Sequence, residues 1–179
     1  AAQIAFAIGA YYADKEDWGN ARKHLSGSMG KIDKNATIDV QLQAHAMLGR
    51  TYEKLNNRTQ ARTEYDKVRN SWKDPAAIVN RVQELAKTNL EGEAQVSRRI
   101  GKMLEAVGEA TFFFAEEKKI AVDKIAFPEY KGSGEKKDVE EFVNKKVADW
   151  QKKKRSAIES ADKEYQKIVR LEPVPPPRW

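Results

Sequence analysis

From Glu93 onward the apolar positions fall at Val96, Ile100, Met103, Val107, Ala110, Phe114 and Ala121, spaced four, three, four, three, four and seven residues apart. Such spacing keeps one stripe of a helix apolar, as in a coiled-coil seam, and only Glu117 interrupts it. A second seam follows at Val143, Val147, Trp150, Ala157, Ile158, Ala161, Tyr165 and Ile168. Between the two lies FPEYKGSGEKKD, in which Pro128 stops a helix and Gly132, Ser133 and Gly134 supply a turn. Helices joined by a short loop pack antiparallel, so residues 92–172 are expected to form a long antiparallel helical hairpin with its turn near 127–136. A helix of about 35 residues extends about 50 Å, so the hairpin either projects as an arm or folds back. Upstream, Asp74-Pro75 makes an N-cap and first-turn pair, and Ile78, Val82 and Leu85 share one face of the helix that it opens. Residues 75–91 therefore read as a capping helix.

The first third of the chain repeats itself. Placing Gly9 on Gly49 brings Tyr12 onto Tyr52, Ala21 onto Ala61 and Leu25 onto Tyr65, with Ile8 over Leu48 and the segments ADKEDWGNAR and EKLNNRTQAR in register. An internal repeat of this length is the signature of a stacked architecture whose units bury their faces only against neighbours.

The pattern G-x-x-Y-x8-A-x3-[LY] resembles the tetratricopeptide repeat. That resemblance implies that residues 1–74 form two helical hairpins of an α-solenoid. In each, the small residue (Gly9, Gly49) lets the second helix approach, the tyrosine (Tyr12, Tyr52) packs between helices, and the alanine (Ala21, Ala61) marks the closest contact beside Leu25 and Tyr65. The early Trp of the family is Ala5 in one copy and His45 in the other, and the copies lie 40 residues apart instead of 34, with the extra residues around SGSMGKIDKNAT. By the same resemblance the first helices line a peptide-binding groove. Its candidate contacts are Phe6 in the first copy and Gln43, Arg50 and Glu53 in the second. The Lys/Asn set with which some members grip a terminal carboxylate is absent. Two copies fall short of the roughly three usually needed for a stable stack, so a further helix must cover them.

Composition agrees with an all-α chain: of 179 residues 34% are charged and 40% apolar, in long runs rich in Ala, Lys, Glu, Gln and Arg. Without cysteine there are no disulfides or thiolate metal sites, which suits the cytosol and a bacterial periplasm alike. No run reaches the length of a membrane span. The chain begins on Ala within a stretch that already reads as helix and closes on PVPPPRW, as an excerpt of a longer protein would. Residues 173–179 read as a proline-rich linker or tail in polyproline conformation.

Candidate chemistry is sparse. His24 and His45 have no metal-type spacing, and neither glycine-rich stretch has the P-loop ending, so no cofactor, metal or small-molecule substrate is expected. No nucleophile and base stand at a useful spacing, and the chain reads as non-catalytic. The net charge of +6 is spread thinly, with Lys152, Lys153, Lys154 and Arg155 as its one basic run, and those four point around most of a helix. Phe112, Phe113 and Phe114 point three ways, so they are either a partner patch or packed on the helix from Pro75; burying an exposed Phe is worth roughly 1.5–3 kcal/mol.

The expected function is a protein–protein interaction scaffold or adaptor segment of a larger multi-repeat protein. Its partner would be another protein or peptide, with self-association through the long helices as a second route. Binding of nucleic acid or an anionic surface through the basic hairpin is the alternative reading, though a dispersed charge argues against nucleic acid. The pairing of repeats with long charged helices also bears a looser likeness to large bacterial multi-repeat proteins of envelope and motility assemblies.

Overall fold

The structure, a computed structural model, describes residues 2–171; the proline-rich stretch 173–179 lies outside the described residues. All the regular elements described are helical, so the fold is all-α. They are α1 (Ala2–Asp14), α2 (Trp18–Asn35), α3 (Ile38–Lys54), α4 (Arg58–Ser71), α5 (Pro75–Thr88), α6 (Glu93–Asp123), α7 (Lys136–Phe142) and α8 (Ala148–Val169). A π-helical turn, Val143–Val147, joins α7 to α8. The described residues divide into two compact units, one of residues 2–113 with 170–171, the other of 114–169.

In the first unit α1 packs on α2 and α3 on α4, and α2 on α3 joins the two hairpins. Both hairpins use one turn. Glu16 and Asn56 take left-handed backbone conformations (φ 57° each), and the next residue donates its N–H to a tyrosine carbonyl: Asp17 to Tyr12 at 2.9 Å, Asn57 to Tyr52 at 2.8 Å. Asp17 and Asn57 then cap the following helices by accepting from the Asn20 and Gln60 N–H groups, meeting donors that a helix start leaves free. Both glycines stand where a side chain has no room. A Cβ on Gly9 would lie 2.4 Å from Leu25 Cδ2, and one on Gly49 would lie 2.8 Å from Tyr65 Cε1. Between the hairpins Leu25, Met29 and Ile32 of α2 form a buried cluster with Ala44 and Leu48 of α3, against which Tyr52 is partly buried.

The same turn occurs a third time between α5 and α6, where Leu90 is left-handed (φ 56°) and Glu91 donates to the Ala86 carbonyl at 2.9 Å. The stack does not continue through it. Arg99 of α6 meets Asp39 near the start of α3, and about three turns further on in both helices Glu109 meets Arg50, so α6 runs in the same direction as α3. The long hairpin expected from residue 92 therefore begins later: Glu93–Phe113 belongs to the first unit, where Met103, Leu104, Ala106, Val107 and Ala110 are all buried. Burial on more than the seam face is what a helix inside a packed unit requires.

In the second unit the rest of α6 pairs with α8. Tyr165 donates to Glu116, Lys154 Nζ to the Val122 carbonyl (2.7 Å), and Trp150 Nε1 to the Ile125 carbonyl (3.4 Å), an order that makes the pair antiparallel. The turn is closed by Phe127 edge-on to Trp150 and Tyr130 edge-on to Phe142, and Tyr130 also accepts the Gly134 N–H. Two residues of the expected second seam, Val143 and Ile158, are exposed. Ile158 directly follows Ala157 and cannot share its direction, and Val143 opens the π-helical turn, where the helical register shifts.

Candidate interaction groove

Three rows of α3 residues, set by helical spacing, meet different neighbours. His45 and Gly49 face α4, while Ala44 and Leu48 face α2 with Tyr52 partly buried against the same cluster, as the Glu64 and Tyr65 contacts and the shared cluster show. The third row, Asp39, Gln43, Ala46 and Arg50, faces α6 and, with α1, bounds a cleft of about 340 Å³. Phe6, Ala10 and Asp14 line it from α1, and Lys102, Glu105, Ala106 and Glu109 from α6.

Three of the four groove residues expected from the sequence, Phe6, Gln43 and Arg50, thus share one cleft, in which Arg50 is already engaged. Arg50 lies against Glu109 through two hydrogen bonds, from Nε (2.6 Å) and Nη2 (2.5 Å). Bidentate pairing of this kind is the strong form of the contact, and it holds the guanidinium above its ordinary pKa against the opposing effect of burial. Glu53 lies outside the cleft lining, where it accepts from the Tyr65 hydroxyl at 2.9 Å; the same hydroxyl lies 3.0 Å from Glu109. Burial first, then the negative charges of Glu109 and Glu53, push the Tyr65 phenol well up. The groove's best hydrogen-bonding groups are therefore satisfied from within the chain.

A second ion cluster anchors the entry to α6. Arg99 donates Nη2 and Nε to the two oxygens of Asp39 (2.8 and 2.9 Å) and Nη1 to Glu91 (2.8 Å). Asp39 is 4% exposed. Burial alone would raise its carboxyl, but hydrogen bonds from Arg99 and Thr37 outweigh that and hold it below the usual carboxylate range.

The two histidines do not meet at one site. His24 stacks flat on Tyr12, with ring centroids 5.1 Å apart. His45, buried in the small-core position noted in the sequence, bridges three helices: Nδ1 lies 2.6 Å from Glu64 of α4 and Nε2 3.0 Å from Asp33 of α2. For Glu64, burial pushes the carboxyl up, but hydrogen bonds from His45 and Lys67 prevail and lower it. No three His, Asp or Glu side chains among the described residues form a group fit to hold a metal ion.

The phenylalanine triplet is not a continuous exposed patch. Phe113 and Phe114 are buried and Phe112 is half-exposed. Phe113 packs on Tyr65 of α4 (centroids 4.9 Å apart) with the Arg58 guanidinium over its face at 5.1 Å. Of the basic run, Lys153 pairs with Asp149 one turn earlier (2.7 Å), and Lys154 donates to the Val122 and Ile125 carbonyls at the end of α6.

Asp39, Glu64, Arg99 and Glu109 were not singled out in the sequence. Arg99 and Glu109 belong to charged helix faces like any other, and the partners that give them meaning are 60 and 59 residues away. No helix among the described residues is long and apolar enough to cross a membrane. Compared with known proteins, the chain matches no protein-family model, no curated protein and no solved structure.

Proposed function

We propose that this chain is a non-catalytic interaction segment of the tetratricopeptide type, in which two repeats and α6 together form a binding platform for another protein or peptide. The observation that carries the reading is the repeated construction itself. The same glycine-to-second-helix contact, left-handed turn residue and N-cap occur twice at a 40-residue offset, and the row of α3 that corresponds to the family's groove bounds a cleft.

The cleft suits a short polypeptide segment better than a reacting substrate. Its walls alternate apolar contacts (Phe6, Ala10, Ala46, Met47) with side chains of both charges (Asp14, Lys102, Glu105), the mix from which protein–protein contacts are made. Arg50 and Glu109 hold each other and leave no poised acid, base or nucleophile among the pair.

The test is quantitative capture on the immobilised full chain from extracts of its source, with Ala10→Arg as the control that fills the cleft without removing a contact. The expected result is at least one partner held by the wild type and lost from Ala10→Arg. Identical sets on both, or no specific protein on either, would overturn the reading.

A further inference from the structure

The second unit has a groove of its own, about 630 Å³ along the α6–α8 pair. Two small residues, Ala121 of α6 and Ala157 of α8, line it together with Lys118 from α6 and Lys152 and Lys153 from α8. Ser156 and Ser160 add two hydroxyls. The basic run of the sequence is thereby sorted by direction. Lys154 is drawn onto the Val122 and Ile125 carbonyls, while Lys152 and Lys153 stand on the groove with a lysine of the other helix.

Residues 114–169 carry 14 basic and 12 acidic side chains. The groove is lined by three lysines and one acid, Asp149, a local excess equal to that of the whole unit, so charge elsewhere in the unit balances. Lys153 pairs with Asp149 at 2.7 Å, and this hydrogen bond, with the charges of Lys153, Lys152 and Lys146, holds the carboxyl below its ordinary range against the opposing effect of desolvation. Lys118 and Lys152 enter no hydrogen bond or ion pair among the described residues, and neither do the Ser156 and Ser160 hydroxyls. Hydroxyls inside other helices of the chain, those of Thr51, Thr63 and Thr111, bond the carbonyl four residues back. The groove thus offers two unmatched cations and two uncommitted donors.

We infer that it binds an Asp- or Glu-rich segment of a partner protein, with carboxylates held by Lys118 toward one end and Lys152 toward the other. Lys152 and Ser160 are eight residues apart on α8, about 12 Å along its axis. Antiparallel pairing, with Glu116 beside Tyr165 and Val122 beside Lys154, puts Lys118 near the Ser160 end. Carboxylates about four residues apart on an extended chain span that distance. The described residues supply no such segment of their own. In the most negative four-residue stretch of the chain, 138–141, Asp138 accepts from Ser133, Glu140 pairs with Lys136 and Glu141 with Lys145. Nucleic acid fits less well: a phosphate backbone calls for a longer track of cations and unpaired bases for aromatic platforms, and no aromatic ring among the described residues lines the groove.

The inference goes beyond the cleft reading, since it concerns the second unit alone. Its probe is a blocked octapeptide alternating Glu and Ala, titrated at low ionic strength into the full-length chain while amide resonances are followed. The expected result is saturable binding that moves the signals of Lys118, Ala121, Lys152 and Ser156 and weakens as salt is added. Lys118→Gln combined with Lys152→Gln should weaken it at least tenfold. Lys23→Gln combined with Lys137→Gln makes the same change in net charge at exposed lysines outside the groove and should leave it within twofold. Ser156→Glu, which sets a carboxylate inside the groove, should abolish it and serves if the double variant fails to fold. Absence of binding at millimolar peptide would overturn the inference. So would equal binding of the Gln–Ala counterpart, equal loss in the two double variants, or tighter binding of octathymidylate, which points to nucleic acid. Ala10→Arg, which blocks the cleft, is expected to leave the titration unchanged, so failure of one reading is distinguishable from failure of the other.

Discussion

A single substitution, Gly to Ala, is expected to have opposite signs at two places in the first unit. At Gly49 the added Cβ would sit 2.8, 2.9 and 3.0 Å from Cε1, Cζ and Cδ1 of Tyr65. The ring would have to retreat by about half an ångström to restore ordinary contact, and it has nowhere to go. Tyr65 is 0% exposed, its hydroxyl is tied to Glu53 and Glu109, and Phe113 packs on it. Overpacking of a filled core costs about 1–3 kcal/mol, against which the better helix propensity of alanine returns about 0.8–1 kcal/mol. Because the Tyr65 ring is fixed on every side, the upper part of that range applies, and Gly49→Ala is expected to destabilise by up to about 2 kcal/mol. Gly27, also inside a helix, has nothing within 4 Å of its added Cβ. Gly27→Ala keeps the propensity gain and is expected to stabilise by about 0.5–1 kcal/mol. Urea unfolding followed by far-UV circular dichroism reads the difference, and amide exchange over residues 38–71 localises it. A Gly49→Ala protein as stable as the wild type would refute the close-packing argument for the repeat glycines.

Arg99→Leu is expected to cost about 3–5 kcal/mol, because it strands the buried Asp39 carboxylate; the paired Arg99→Leu, Asp39→Leu variant should recover much of that loss in the same urea titration. The lowered carboxyls of Asp39 and Glu64 set an acid limit. In the unfolded chain these groups protonate near pH 4, so as pH falls through that range the unfolded state takes up protons first and stability drops until the folded carboxyls protonate as well. Thermal melts between pH 6 and 3 should show this slope, and Glu64→Gln should be less stable at neutral pH and less sensitive to acid. Lys154→Met removes the donor to the Val122 and Ile125 carbonyls and is expected to loosen the second unit by about 1 kcal/mol, seen as faster amide exchange over residues 114–169 with no change over 2–90.

Much of the local structure was legible because its causes are local. Asp74 caps its helix through its own chain three residues on, and the Gly/Tyr/Ala spacing marks a contact between helices that adjoin in sequence. The third turn at Leu90 was invisible for the converse reason. Its geometry lies in main-chain hydrogen bonds and a left-handed residue, while the side chains of LAKTNLEG show no glycine or asparagine where the turn needs one. The groove was half legible: the resemblance to the tetratricopeptide repeat pointed to Phe6, Gln43 and Arg50, which line one cleft, but nothing near Arg50 announces Glu109.

The heptad seam of α6 illustrates the boundary. A long helix from Glu93 with an apolar stripe, stopped by Pro128 at the latest, was readable from the chain alone, since periodicity and helix-forming residues act within a few turns of each position. What that stripe lies against was decided only in the tertiary structure. Met103, Val107 and Ala110 are buried within the first unit, Glu109 meets Arg50, and only from Phe114 does the helix enter the second unit and pair with α8. An apolar seam specifies that it will be buried, because removing it from water is favourable whatever covers it. The choice of cover rests on shape and on a few charge pairs some 60 residues apart, and those exist only once the chain has folded.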